Sequence, residues 1–163
     1  MAKTDAKKLA KEMLDWSKGL ELLGKIDILV GFPKEEAEKT RRPSPDGTST
    51  PLSNAEIAAL QEFGSDTIPA RPFLRPTFDA PDGQRQVNKA FAVAAKQIMD
   101  GKRVEDGAKL VGVVAQGMVR KFMKSVTDPP NSPQTIRLKQ SSKPLTDTGQ
   151  LAQAVTFVLR KKR

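Results

Sequence analysis

Residues 68–76 read Ile-Pro-Ala-Arg-Pro-Phe-Leu-Arg-Pro. Prolines at 69, 72 and 76 each hold φ near −65° and push the preceding residue out of the helical region. The spacing predicts an extended arm. Because proline supplies no ladder donor, that arm belongs at a sheet edge or outside the sheet. Arg71 and Phe73 are expected to project from its opposite sides. Just upstream stands Gln61-Glu62-Phe63-Gly64-Ser65. Far downstream Pro129-Pro130-Asn131-Ser132 precedes Pro144-Leu145-Thr146-Asp147-Thr148-Gly149-Gln150-Leu151. These stretches contain what is needed to fix a backbone path and offer no plausible catalyst.

The chemical inventory points the same way. The chain has no His, Cys or Tyr, which removes the usual general base near neutral pH, the thiol nucleophile and the soft metal ligands. No Gly-x-Ser-x-Gly elbow, phosphate-binding loop or His-Glu-x-x-His helix is present. Carboxylates, Lys, Ser or Thr would have to do any chemistry. The best carboxylate set, Glu35, Glu36 and Glu38, falls in a charge-mixed loop without fixed geometry, a poor basis for a metal nuclease. No enzymatic activity, metal or cofactor is expected. At 163 residues the chain reads as one domain, 1–163, and a hydrophobic content of 37% gives a thin core that burial against neighbours would help complete. No apolar run approaches the roughly 20 residues that cross a bilayer, and the opening Lys and Ala residues lack the apolar core of a leader. A soluble, intracellular protein without membrane contact is expected.

The net charge of +9 is uneven: residues 103–163 hold twelve Lys or Arg against four acids. A one-sided basic surface is expected to meet a polyanion or an acidic protein face; a merely solvated surface is the plainer reading. Phe122 and Phe157 stand among these bases at core-like spacing, so contact with nucleic acid would go to phosphate, without base stacking.

Periodicity predicts the remaining elements. Leu9, Met13, Trp16, Leu20 and Leu23 form one stripe of a first helix that Gly24 stops, with Trp16 a core or interface anchor. Ile26, Ile28 and Val30 alternate as a strand. Residues 34–52 are polar and proline-rich, a long loop or hairpin excursion. Ser53-Asn54-Ala55-Glu56 has capping-box form, and Gly64 closes the short helix it opens. A second long helix starts near Asp82 or Gly83, with Val87, Phe91, Ala94 and Ile98 inward. A third spans about Val104 to Val126, with Leu110, Val114, Gly117 or Met118, and Phe122 inward; Gly112 and Gly117 suggest close approach of a helix or subunit. Ser132-Pro133 starts a short helix, Thr146 to Gln150 begin another, and 154–160 is a final strand. The fold class is α+β: a small antiparallel sheet packed against several helices, with a long excursion and a proline-rich extended arm.

Taken in order, Ala-Glu-Ile-Ala-x-x-x-Glu-Phe-Gly, Ile-Pro-Ala-Arg-Pro-Phe-Leu-Arg-Pro, Pro-Pro-Asn-Ser-Pro-x-Thr-Ile-x-x-Lys and Pro-Leu-x-Asp-Thr-Gly-x-Leu resemble the neck, tail-completion and virion-morphogenesis proteins of tailed bacteriophages. The resemblance runs from about residue 20 to residue 160. Glu62, Phe63, Gly64, Pro69, Arg71, Pro72 and Phe73 match the first signature. Pro130, Thr135, Ile136, Lys139, Pro144, Leu145, Asp147, Thr148, Gly149 and Leu151 match the second. It implies a non-enzymatic structural subunit of the virion head-to-tail junction, assembled in the host cytoplasm. Copies would form a ring around the DNA channel, a hexamer by tail symmetry or a dodecamer by connector symmetry. Its partners would be connector, neck and tail-tube or terminator proteins, with nonspecific contact to packaged DNA. On this reading Phe63, Arg71, Pro72, Phe73 and Arg75 serve the subunit interface, Arg71 being needed for the ring and not for the fold. Lys121, Lys124, Lys139, Lys161 and Lys162 would face the DNA channel or an acidic partner. A sequence-nonspecific DNA-binding module is the alternative.

Overall fold

The computed structural model describes residues 2–33, 52–139, 142–145 and 149–162. Among them the chain forms α1 (Ala2–Gly24), β1 (Ile26–Gly31), α2 (Asn54–Phe63), α3 (Leu74–Asp79), α4 (Pro81–Met99), α5 (Val104–Ser125), α6 (Pro133–Lys139), α7 (Gln150–Ala154) and β2 (Thr156–Lys161). The class is α+β, as expected. The excursion predicted over 34–52 lies outside the described residues, apart from an exposed Leu52.

The sheet is a two-stranded antiparallel ribbon joining the first strand to the last, with Ile28 opposite Leu159 and Val30 opposite Phe157. Alternation turns Ile26, Ile28 and Leu159 onto the helices. A ribbon this small is marginal by itself, so α5 supports it. Gly112 lets Phe157 lie against the helix: a Cβ at residue 112 would collide with the phenyl ring.

Helix α5 runs through both halves of the core. Its Ala108 and Val111 join Leu23, Ala90, Ala94 and Ile98 in one cluster; its Val119 and Met123 join Ala58, Phe73, Leu145, Leu151 and Val155 in the other. Acids in its first turn, Glu105 and Asp106, and Lys124 in its last suit the helix dipole.

The inward faces differ from the predicted ones in a consistent way. In α4 the buried residues are Gly83, Ala90, Ala94 and Ile98, whereas Phe91 is 39% exposed. In α5 the buried set includes Gly107, Ala108, Val111, Gly112, Ala115, Met118 and Val119, with Leu110, Val114 and Phe122 only half-buried and Gly117 exposed. Close packing selects small side chains at the line of contact and sets the large ones to its flanks. Among the described side chains of α1, Gly19 and Leu23 are the buried positions; Trp16 is half-buried, and Leu9, Met13 and Leu20 of the predicted stripe are exposed. Gly19 abuts Ile98 of α4, so the docked face is turned to one side of the apolar stripe.

The proline arm is also shorter than predicted. Residues 69–73 are irregular, but α3 begins at Leu74, with Pro76 inside its first turn. A first-turn proline removes an amide that has no helical partner in any case, so helix and proline are compatible there.

These packing differences predict opposite outcomes at two glycines of α5. Gly117→Ala, where a Cβ meets nothing within 4 Å, should raise the unfolding free energy by up to about 1 kcal/mol. Gly112→Ala should lower it by about 1–3 kcal/mol through overpacking against Phe157. Urea unfolding of the two variants at low protein concentration checks the contrast.

Candidate functional site

The conspicuous motifs meet around the end of α2. That helix opens with the predicted capping box: Ser53 Oγ accepts from the Glu56 amide at 3.2 Å and Glu56 Oε2 accepts from the Ser53 amide at 2.8 Å. The Ser53 contacts hold the Glu56 carboxyl below its ordinary pKa. The helix ends at Gly64, whose φ of 75° and closeness to the Ala70 backbone, 2.8 Å from a would-be Cβ, leave room for glycine alone.

One residue before the end of α2, the buried Glu62 carboxylate accepts from three consecutive amides: Phe73 at 2.7 Å, Leu74 at 2.9 Å and Arg75 at 3.2 Å. Helix α3 has no capping side chain of its own. Glu62 caps it from across the chain, and its negative charge suits the helix N-terminus. Thr77 Oγ1 donates to the Phe73 carbonyl at 2.6 Å, tightening the same turn.

Arg71 ties this unit to the second signature. Its Nε donates to Pro129 O at 2.6 Å, Nη2 to Pro130 O at 2.8 Å and Nη1 to Gln61 Oε1 at 3.3 Å. Asn131 is buried and donates from Nδ2 to Lys143 O at 3.1 Å. The stretches around 61–73 and 129–145, far apart in the chain, are therefore one structural joint.

This placement corrects two interface assignments. Phe73 is 0% exposed and sits edge-on to Phe32, 6.3 Å between ring centroids, in the core of its own subunit. Arg71 is 5% exposed; its planar fork satisfies carbonyls of a Pro-Pro turn that belongs to no helix or strand. Both are committed within the subunit. Pro72 is exposed between them, held by its anchored neighbours.

Phe63 and Arg75 remain on the surface. Phe63 is 68% exposed, and the Arg75 guanidinium lies over its ring, 5.8 Å from the centroid. Beside them an open groove of about 460 Å³ is lined by Leu52, Glu56, Ala59, Leu60, Phe63 and Gly64. A second apolar surface runs along α1, where Leu9 is 53% and Met13 58% exposed, with Leu20 beyond them. Sequence reasoning marked Trp16 of that stripe as a core or interface anchor and did not single out Leu9, Met13 and Leu20 as a surface. The available signal was its length: a 23-residue helix presents more apolar surface than a thin core can cover.

The basic candidates separate into two groups. Lys121 and Lys124 are exposed near the C-terminal end of α5. Lys161 ends β2 and Lys162 follows it; the strand runs back along α5, where Val155 O receives Gln116 Nε2 and Arg120 Nη2, Phe157 covers Gly112, and Leu159 joins Val111. At 1.5 Å per helical residue the groups lie roughly 20 Å apart, beyond a Debye length of about 8 Å at physiological salt. The two lysine pairs thus do not form one compact patch. Lys124 also borders a cleft of about 340 Å³ with Arg120, Met123, Leu145, Gly149, Ala152 and Gln153. Lys139 closes α6, with its side chain outside the described residues, as are Asp147, Thr148 and, in the excursion, Glu35, Glu36 and Glu38. Among the described residues no cluster of acidic side chains is arranged to hold a metal ion, and no helix is long and apolar enough to cross a membrane. The chain matches no protein-family model, no curated protein and no solved structure.

The joint makes a direct prediction. Glu62→Ala strands three amides and should lower the unfolding free energy by about 3 kcal/mol; Glu62→Gln should lose less. Arg71→Ala should destabilise the isolated subunit by about 2–4 kcal/mol, contrary to the expectation that it acts on assembly alone. Denaturant titration of the monomer measures both.

Proposed function

We propose that this chain is a structural subunit of the head-to-tail junction of a tailed bacteriophage, where copies of it close a ring around the DNA channel and join tail to head. One observation carries the reading: among the described residues a firmly jointed subunit leaves two different apolar surfaces, the α1 stripe and the α2 groove, without cover. Single exposed apolar residues are ordinary, whereas contiguous patches mark interaction sites. Two unlike patches on one chain suit a heterologous contact, the kind that builds rings. The ordered signatures supply the phage context. The joint supports it by explaining those signatures as devices that hold one rigid shape.

The connector, neck and tail-tube or terminator proteins are the proposed neighbours, and the assembled virion is the proposed location. A hexamer is the preferred ring, a dodecamer the other. Lys121 and Lys124, three residues apart and both exposed on α5, support phosphate contact with the packaged DNA, where ring symmetry would repeat them around the channel. The same two residues are what favours the alternative, a sequence-nonspecific DNA-binding module.

Native mass spectrometry and negative-stain imaging of the purified protein should show closed rings of one copy number, and the chain should be found in purified virions. Its absence from virions sinks the proposal. If the ring lines DNA, affinity for duplex should fall steeply with salt, and Lys121→Gln with Lys124→Gln should lower the log–log salt slope by about 2 per subunit. Tight DNA binding by a protein that stays monomeric would favour the alternative.

A further inference from the structure

We infer that the ring contact is a helix-in-groove joint: the apolar stripe of α1 on one copy docks into the α2 groove of the next. The inference rests on the ring reading above and adds the surfaces that meet.

The argument starts from the part of α1 that has no support. Residues 5–11 are all exposed, and burial begins only with Glu12, Trp16, Gly19 and Leu23. The helix is roughly 34 Å long at 1.5 Å per residue, and its residues 5–11 stand clear of the subunit. A helical stretch shorter than about 12 residues is marginal in water without tertiary packing. Leu9, Met13 and Leu20 line one side of this helix next to half-buried Trp16, at the i, i+4, i+7, i+11 spacing by which amphipathic helices enter grooves.

The α2 groove has the matching character. Leu52, Ala59, Leu60 and Phe63 give it an apolar floor and wall. Its one carboxylate, Glu56, is engaged by the Ser53 amide and hydroxyl. Among the described residues no convergent set of polar groups lines it to orient a small polar ligand, which is what such a site would need. Phe63, highly exposed and stacked under Arg75, is an aromatic–arginine pair of the sort that anchors interfaces.

Three features select a second copy as the occupant. Stripe and groove are both exposed in the same subunit, so neither covers the other. Asp5 and Glu12 lie along one flank of the stripe, while Arg75 at the groove rim has no carboxylate partner among the described residues; the charges are complementary across such a joint. Stripe against stripe would leave Phe63, Arg75 and the groove uncovered, whereas stripe in groove closes both surfaces with one repeated contact. Residues 5–11 would then gain the packing they lack.

The chain's lack of cysteine makes the test clean. Met13→Cys and Phe63→Cys proteins, together with an Ala59→Cys protein to allow for register, are mixed pairwise and treated with a short bis-maleimide. Cross-linked dimers are expected from Met13→Cys mixed with Phe63→Cys or Ala59→Cys, at several times the yield of Met13→Cys with itself. Met13→Glu and Phe63→Glu should each weaken self-association roughly tenfold or more by analytical ultracentrifugation, with circular dichroism unchanged. Dominant Met13–Met13 cross-linking overturns the joint, as does assembly that survives both glutamate substitutions; either result leaves the ring reading in place. An unmodified chain that stays monomeric at all concentrations and is missing from virions removes the ring reading itself.

Discussion

Three backbone amides in a row converge on the Glu62 carboxylate, and much of the subunit follows from that contact. It sets the point where the proline-rich segment stops being extended and becomes α3. Once Phe73 is fixed there, its ring faces Val119, Met123 and Val155 in the core, and full burial of a side chain of that size stabilises by about 2–3 kcal/mol. Two residues earlier, the same path aims Arg71 at the Pro129 and Pro130 carbonyls. A carboxylate one residue from the end of one helix thus specifies the start of the next and the position of a turn from the far half of the chain.

Local signals were the legible part of the sequence. The Ser53 capping box, Gly64 as a helix stop, Ser132-Pro133 as a helix start and the alternation in 26–30 all appear where short-range chemistry puts them. The small antiparallel sheet was legible as well. Which face of each long helix points inward was legible only in part: Ala94, Ile98 and Met118 are buried as their spacing predicts. Hydrophobicity also singles out Phe91 and Leu110, yet the contact line includes Ala90, Gly107 and Ala108, because two helices approach most closely where side chains are smallest. The role of Arg71 was hidden for a similar reason. Its partners are carbonyls some sixty positions away, which no pattern along the chain can announce.

The motifs that stand out in the sequence prove to be interior joints, while the surfaces proposed for assembly are made of ordinary residues such as Leu9, Met13, Leu52 and Ala59. This division has a physical basis. A buried carboxylate or guanidinium must have its partners in a narrow geometry, and only a few residue types at fixed spacings meet that demand. An apolar contact between subunits asks for shape and area, which many side chains supply. Phe63, which lines the groove, and Arg75, which lies over its ring, are the exceptions, both belonging to a signature stretch.

The ribbon of β1 and β2 has a consequence for how the chain comes to life. Translation delivers Ile26, Ile28 and Val30 early, but their pairing partners emerge only after every helix from α2 to α7 has been made. Until then the hydrogen-bonding edge of the first strand has no mate, and such non-local pairing is slow to nucleate. Vectorial synthesis on the ribosome therefore leaves a window in which the unpaired edge of a nascent chain is prone to aggregate.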